Sequence, residues 1–210
     1  MKPATSREEL LGQLAEVGRM AVARGLVLAS GGNLSARLPG EDRFLVTGAG
    51  TWLDRLTPED FALLSLDGET LEGPAPSSEW KLHARTYRVR PDVNAVVHLH
   101  PQYTVLVDAM GYPIRFVSLD HAFYVHSVGA VPYAPNGSDE LADTAAEQAR
   151  RHDCVVLSHH GCSTVGADVG MAFRRAMNLE EAAIATYRML ACGDSTTAFP
   201  AEAYAQLRHT

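Results

Sequence analysis

The sequence has no apolar run close to the roughly 20 residues that a membrane-spanning helix needs. Its first residues, MKPATSREELLGQ, lack the apolar centre of a secretion signal. Only three cysteines occur, Cys154, Cys162 and Cys192; the number is odd and no two form a C-x-x-C pair. Reduced thiols fit this better than a disulfide framework. There is no block of five Lys or Arg, and 18 basic residues face 25 acidic ones for a net charge of −7. The phosphate-backbone footprint is therefore missing, and nucleic acid is not an expected partner. Neither a Walker A loop nor a dinucleotide G-x-G-x-x-G is present, which disfavours NTP and NAD chemistry. No G-x-S-x-G elbow supports Ser163 or Cys162 as a nucleophile beside His160. Repeats, low-complexity tracts and linkers are also missing. These absences lead to the expectation of a soluble, cytoplasmic protein without a membrane or nucleic-acid partner.

What is there can build a core. The chain has 210 residues, 46% hydrophobic and 20% charged, enough for a single domain spanning 1–210. Ser6 and Glu9 have capping-box spacing, and Leu10, Leu14, Val17 and Ala21 follow at helical intervals up to Gly25. A glycine-rich turn then leads into a short strand, and Arg43 to Thr47 reads as a second strand. Thr57-Pro58-Glu59 is a helix start, and Asp67-Gly68 a hairpin turn. Ser77 or Ser78 caps a helix towards Arg90, Val93 to Leu99 is a strand, and Pro101 opens another helix. Short strands are expected at Arg115 to Leu119 and Ala130 to Tyr133. Ser138 caps a helix to about Arg151, Cys154 to Ser158 is an apolar strand, and Val169 to Leu190 a long helix. Irregular alternation of strands and helices makes this an α/β chain.

Three clusters can carry chemistry. In His98-Leu99-His100, residues i and i+2 of a strand share one face, so both imidazoles reach a single ion. Two histidines do not close a tetrahedral site, and His159-His160-Gly161, after the apolar strand, can supply the next ligand. Glu79, in Pro76-Ser77-Ser78-Glu79-Trp80, sits in the first turn of a helix. It either complements the helix dipole or serves as a base or metal ligand beside an anion held by the serines. Gly31-Gly32-Asn33 and Thr47-Gly48 are ordinary turns if taken singly, and an anion nest if they converge.

Taken together and in this order, SGGNLSAR, LVTGAG, LTPEDF, PSSEW with His83, NAVVHLHP and LSHHG resemble the class II aldolase/adducin family. The resemblance is strongest to its fuculose-phosphate-cleaving branch and covers about residues 7–190. It implies a central, mainly antiparallel β-sheet flanked by helices, and usually a homotetramer. It implies a zinc-dependent aldolase that cleaves a phosphorylated sugar, a ketose phosphate, to dihydroxyacetone phosphate and an aldehyde. His98, His100 and His160 match the zinc ligands, with one Zn²⁺ or another divalent metal per subunit. Glu79 matches the acid/base and fourth-ligand position. Gly32, Asn33, Thr47, Gly48, Ser77 and Ser78 match the phosphate-binding positions. The family's aldehyde-side proton donor is a tyrosine without a clear counterpart; His121, Tyr124 and Tyr204 are the candidates. A 4-epimerase, a dehydratase, a decarboxylase and a non-catalytic adducin-like module share the scaffold. The histidines argue against the last, and glutamate rather than aspartate at position 79 argues against the epimerase.

Overall fold

In the computed structural model, which describes residues 6–207, the chain opens with helix α1 (Arg7–Ala23). Ser6 caps it by accepting from the Glu9 amide, and Arg24 and Gly25 close it, Gly25 at a φ of +70° that suits glycine. Strands β1 (Asn33–Ala36), β2 (Arg43–Thr47), β3 (Phe61–Ser65) and β4 (Thr70–Glu72) follow, then α2 (Trp80–Val89), β5 (Ala95–Leu99) and α3 (Gln102–Ala109). The second half comprises β6 (Val128–Val131), α4 (Asp139–Ala149), β7 (Cys154–Leu157), β8 (Gly161–Gly166), α5 (Val169–Ala191) and α6 (Ala201–Leu207).

All eight strands lie in one sheet, in the order β4-β3-β2-β1-β5-β8-β7-β6. Every neighbouring pair is antiparallel except β6 with β7. The expected central, mainly antiparallel sheet with flanking helices is what the chain forms. Strand alternation sorts the side chains. Leu34, Ala36, Leu45, Val97 and Leu99 pack with Leu14 and Val17 of α1 and Phe173 and Ala176 of α5. Phe44, Val46, Leu64, Val96 and Val165 point the other way, against Ala84 and Tyr87 of α2. Leu141, Ala145 and Ala149 of α4 extend that second layer over Val131, Val155 and Leu157. The register Asn33↔His98 and Ser35↔Val96 puts Asn33, Ser35 and His98 on the α2 face.

Some local expectations give way to tertiary structure. The helix expected after Thr57-Pro58 is a single 3-10 turn, Pro58–Asp60. Asp60 bonds back to the Thr57 amide, and the apolar residues from Phe61 continue as β3. Arg115 to Leu119 is not a strand. Its polar groups are taken by α5 and the C-terminal segment: the Arg115 amide donates to Thr186 Oγ1, and Phe116 O accepts from the Phe199 amide. The strand expected from Ala130 lies two residues earlier, at Val128–Val131, where it pairs with β7.

Candidate active site

β5 ends at Leu99, so His98 projects from the sheet and His100 follows at its open end. β7 returns into β8 through Ser158-His159-His160, a turn closed by the His160 amide on Leu157 O. Such a return needs one residue in the left-handed region, and His159 takes it at a φ of +57°. That turn exposes His159, whose amide donates to Asp108 Oδ2 at 3.3 Å, and directs His160 inward. Glu79 precedes α2 and is buried.

The four side chains converge: one ligand atom from each of Glu79, His98, His100 and His160 lies within 4.8 Å of all the others. His98 Nε2 is 3.0 Å from His100 Nε2 and 3.1 Å from Glu79 Oε2, and His160 Nε2 is 3.5 Å from Glu79 Oε1. Four donors about 2.0–2.1 Å from a tetrahedral ion stand about 3.3–3.4 Å apart. The observed edges bracket that spacing. His98 Nδ1 is 2.9 Å from Cys162 O; a carbonyl only accepts, so Nδ1 carries the proton and Nε2 turns to the cluster. Glu79 Oε1 is buried without a hydrogen-bond partner, as a carboxylate oxygen reserved for a cation would be. Burial lowers His100 to about 3, assisted by charge at His98 and His160 and opposed by Glu79. Burial lowers His160 as well. Both rings are neutral near pH 7, the state that binds metal. Burial raises the Glu79 carboxyl, but His98 and His160, wherever they carry a proton, and the hydrogen bond from Asn33 outweigh it and hold the group well below the usual carboxylate range. The donor set fits a divalent cation.

Beside this cluster lies a polar cavity of about 160 Å³, lined by Gly32, Asn33, Gly48, Ser77, Ser78 and Glu79, with His100 at its inner edge. Five of the six residues expected to hold an anion therefore meet. The sixth does not line it: the Thr47 hydroxyl accepts from the Leu34 amide, and its carbonyl accepts from the Ser77 amide, so Thr47 braces the cavity wall. Asn136, on the loop before α4, lines the cavity and was missed by sequence reasoning. Among the described lining residues there is no Lys or Arg, so an anion here would be held by hydroxyls, amides and backbone N–H groups. Gly32 is required by geometry: its φ is +70°, and a Cβ there would stand 2.7 Å from His98 O.

The three candidates for an aldehyde-side donor lie elsewhere. His121 is buried, with Nε2 3.7 Å from Glu181 Oε2. The Tyr124 ring lies under the Arg174 guanidinium. Tyr204 OH is 3.4 Å from His126 Nδ1, at the rim of an apolar cavity of about 580 Å³ that contains none of the four clustered groups.

Sequence reasoning also missed a buried layer behind Glu79. Asn33 Nδ2 donates to Glu79 Oε2 at 2.9 Å, and His83 Nε2 is 2.5 Å from Asn33 Oδ1. His83 Nδ1 lies 2.6 Å from Ser35 Oγ, which is 2.7 Å from Tyr87 OH. The signal was present as spacing: 79, 83 and 87 recur every four residues along one helical face, opposite 33 and 35 on one strand face.

The chain is similar to known proteins along most of its length. Residues 12–187 match the model of the class II aldolase and adducin N-terminal domain. The chain is 33% identical over 189 residues to 5-deoxy-D-ribulose 1-phosphate aldolase of Bacillus thuringiensis serovar kurstaki, covering 90% of this chain and 87% of that one. It is also 33% identical to 3-oxo-tetronate 4-phosphate decarboxylase of Haemophilus influenzae, covering 85% of each. The solved structure of L-fuculose-1-phosphate aldolase from Thermus thermophilus superposes with a TM-score of 0.79 at 32% identity, over 90% of this chain and 99% of that one.

Proposed function

The chain belongs to the class II aldolase and adducin family, and from that premise we propose that it is a zinc-dependent lyase. Its reaction is cleavage of a ketose phosphate, of the L-fuculose 1-phosphate kind, to dihydroxyacetone phosphate and an aldehyde. The observation that carries this reading is Glu79 standing between the three histidines on one side and the polar cavity on the other.

His98, His100 and His160 would hold the cation, with Glu79 as a fourth ligand before substrate arrives. The cation supplies positive charge opposite the ketose oxygen that becomes negative as the C–C bond breaks. Gly32, Asn33, Gly48, Ser77 and Ser78 would hold the phosphate, fixing the distance from the phosphorus to the reacting carbon. Thr47 supports them through its hydrogen bonds to Leu34 and Ser77. Glu79 would deliver a proton to the carbon freed by cleavage and remove it in the reverse direction. We further assign a cytoplasmic homotetramer. None of His121, Tyr124 and Tyr204 lines the polar cavity or belongs to the cluster around Glu79, and a neighbouring copy would bring such a donor to the aldehyde oxygen.

That same separation favours one second reading. Loss of CO₂ from a phosphorylated 3-oxo acid needs no aldehyde-side donor, and a relative of equal identity is a decarboxylase. Incubating the metal-loaded protein with ketose 1-phosphates, ketose 5-phosphates and 3-oxo acid phosphates, with products followed by NMR, separates the two. Aldehyde with dihydroxyacetone phosphate establishes the aldolase. Release of CO₂ without an aldehyde establishes the decarboxylase and overturns the first reading.

A further inference from the structure

The hydrogen bonds behind Glu79 admit one arrangement of protons. Asn33 Nδ2 faces a carboxylate oxygen that only accepts, so the amide oxygen is the atom facing His83. That oxygen in turn only accepts, so His83 Nε2 carries a proton. His83 is fully buried, and its pKa is down at about 3, through burial first and charge at His98 second, with Glu79 opposing. The ring is neutral, and Nδ1 is a lone pair. Ser35 must then spend its hydroxyl proton on Nδ1, which leaves its oxygen to accept from Tyr87 OH. Burial raises the Tyr87 hydroxyl and keeps that proton in place. Each donor is used once, and each points towards Glu79.

We propose that His83 is a positioning residue for Glu79: through a one-way chain from Tyr87 and Ser35 it locks the Asn33 carboxamide with its N–H towards the carboxylate. The amide could otherwise turn over and present its oxygen to Glu79, and the repulsion would swing the carboxylate off its line between the cation and the cavity. Asn33 also lines the polar cavity, so one locked amide ties the phosphate pocket to the acid/base. The residues that set this lock touch neither substrate nor metal. The inference rests on Glu79 being the acid/base of the proposed reaction.

The test uses the metal-loaded protein with ¹⁵N-labelled histidine. Long-range ¹H–¹⁵N correlation is expected to show His83 as the Nε2–H tautomer, with an exchange-protected proton that shifts in Asn33→Ala. An Nδ1–H tautomer overturns the chain whether or not any substrate turns over. On the substrate that the panel identifies, His83→Leu should lower kcat about 10- to 100-fold, the scale for losing a supporting hydrogen bond behind a metal ligand, with KM changed less than threefold. His83→Gln, which restores an N–H donor, should recover most of that loss. Asn33→Asp should cost as much as His83→Leu, and the double variant little more than either alone. If His83→Leu fails to fold, His83→Gln with Asn33→Asp carries the kinetic comparison. Retention of kcat within twofold in His83→Leu or Asn33→Asp refutes the proposal. So does a loss in His83→Gln as large as in Asn33→Asp, or equal losses in kcat and metal content.

Discussion

Gly161 joins the fold to the metal site at one atom, and Gly161→Ala tests that join. A Cβ at this position would lie 2.3 Å from Leu99 O, 2.8 Å from His100 Cδ2 and 3.2 Å from His100 Cα. Carbon contacts settle at about 3.5–4.0 Å, so the overlap with the carbonyl is roughly 1 Å. Neither side can yield cheaply. Gly161 pairs with Leu157, and Cys162 pairs with Leu99, so relief must open the β5–β8 seam next to His100. Overpacking of this kind costs about 1–3 kcal/mol. For a chain of this length that lowers Tm by about 2–12 °C. The metal should suffer more than the fold, because ligand distances tolerate about 0.2 Å and the seam must move several times that. A tenfold loss of affinity subtracts a further 1.4 kcal/mol from the stability of the loaded protein under excess metal. Urea unfolding with and without metal, beside a chelator competition, reads both effects. The expected result is a variant of native circular dichroism whose loaded form loses more stability than its apo form. Wild-type stability together with wild-type metal affinity would refute the reasoning.

Three further outcomes are expected. His100→Ala should weaken metal binding by about 10²-fold or more while leaving the sheet intact, since His100 lies beyond the end of β5; full metal occupancy by elemental analysis would remove it from the ligand set. Glu79→Gln should keep the metal and lose about 10²-fold or more in kcat, since an amide holds the shape but cannot carry the proton; near-normal turnover would reduce Glu79 to a helix-start residue. His83 titrates near 6.5 when unfolded and at about 3 when folded, so between those values the unfolded chain binds the extra proton. Stability should therefore fall as pH drops below about 6.5, by up to about 1.4 kcal/mol per pH unit from this group. Metal-free His83→Gln should lose that increment of slope in urea melts between pH 4 and 6.5, and an unchanged slope would contradict a neutral buried ring.

The parts of the site visible in the sequence were those encoded in short spacing. His98 and His100 are two apart at the end of a strand and His159-His160 follows an apolar strand, so spacing alone pointed to both segments, while the choice of His160 over His159 came from the resemblance to the family. β8 gave no such signal. Gly161-Cys162-Ser163-Thr164-Val165-Gly166 is small and mixed, and it is a strand because β5 and β7 pair with it on both sides. The helix expected after Pro58 had correct cap chemistry, which serves equally for a single turn ahead of a strand. Thr47 resembled a ligand by motif, and its hydroxyl also accepts from the Leu34 amide, a contact no linear pattern reports. Asn33 shows the reverse case: it was expected to contact only an anion, while its carboxamide reaches Glu79, 46 residues away.

The order of strands across the sheet also fixes an order in time. A ribosome releases β1 to β5 first, and in the finished sheet these form one contiguous half, β4-β3-β2-β1-β5. β5 is then a bare edge whose five residues are all destined for burial, because its second neighbour, β8, is encoded beyond His160. At about 5–20 residues per second, the stretch from His100 to His160 takes roughly 3–12 s to emerge. Until β8 emerges, β5 lacks its second neighbour, and an apolar edge of that kind is one that recruits other chains. The β7–β8 return both covers that edge and carries the last imidazole, so the fourth donor is in place only once the sheet is closed.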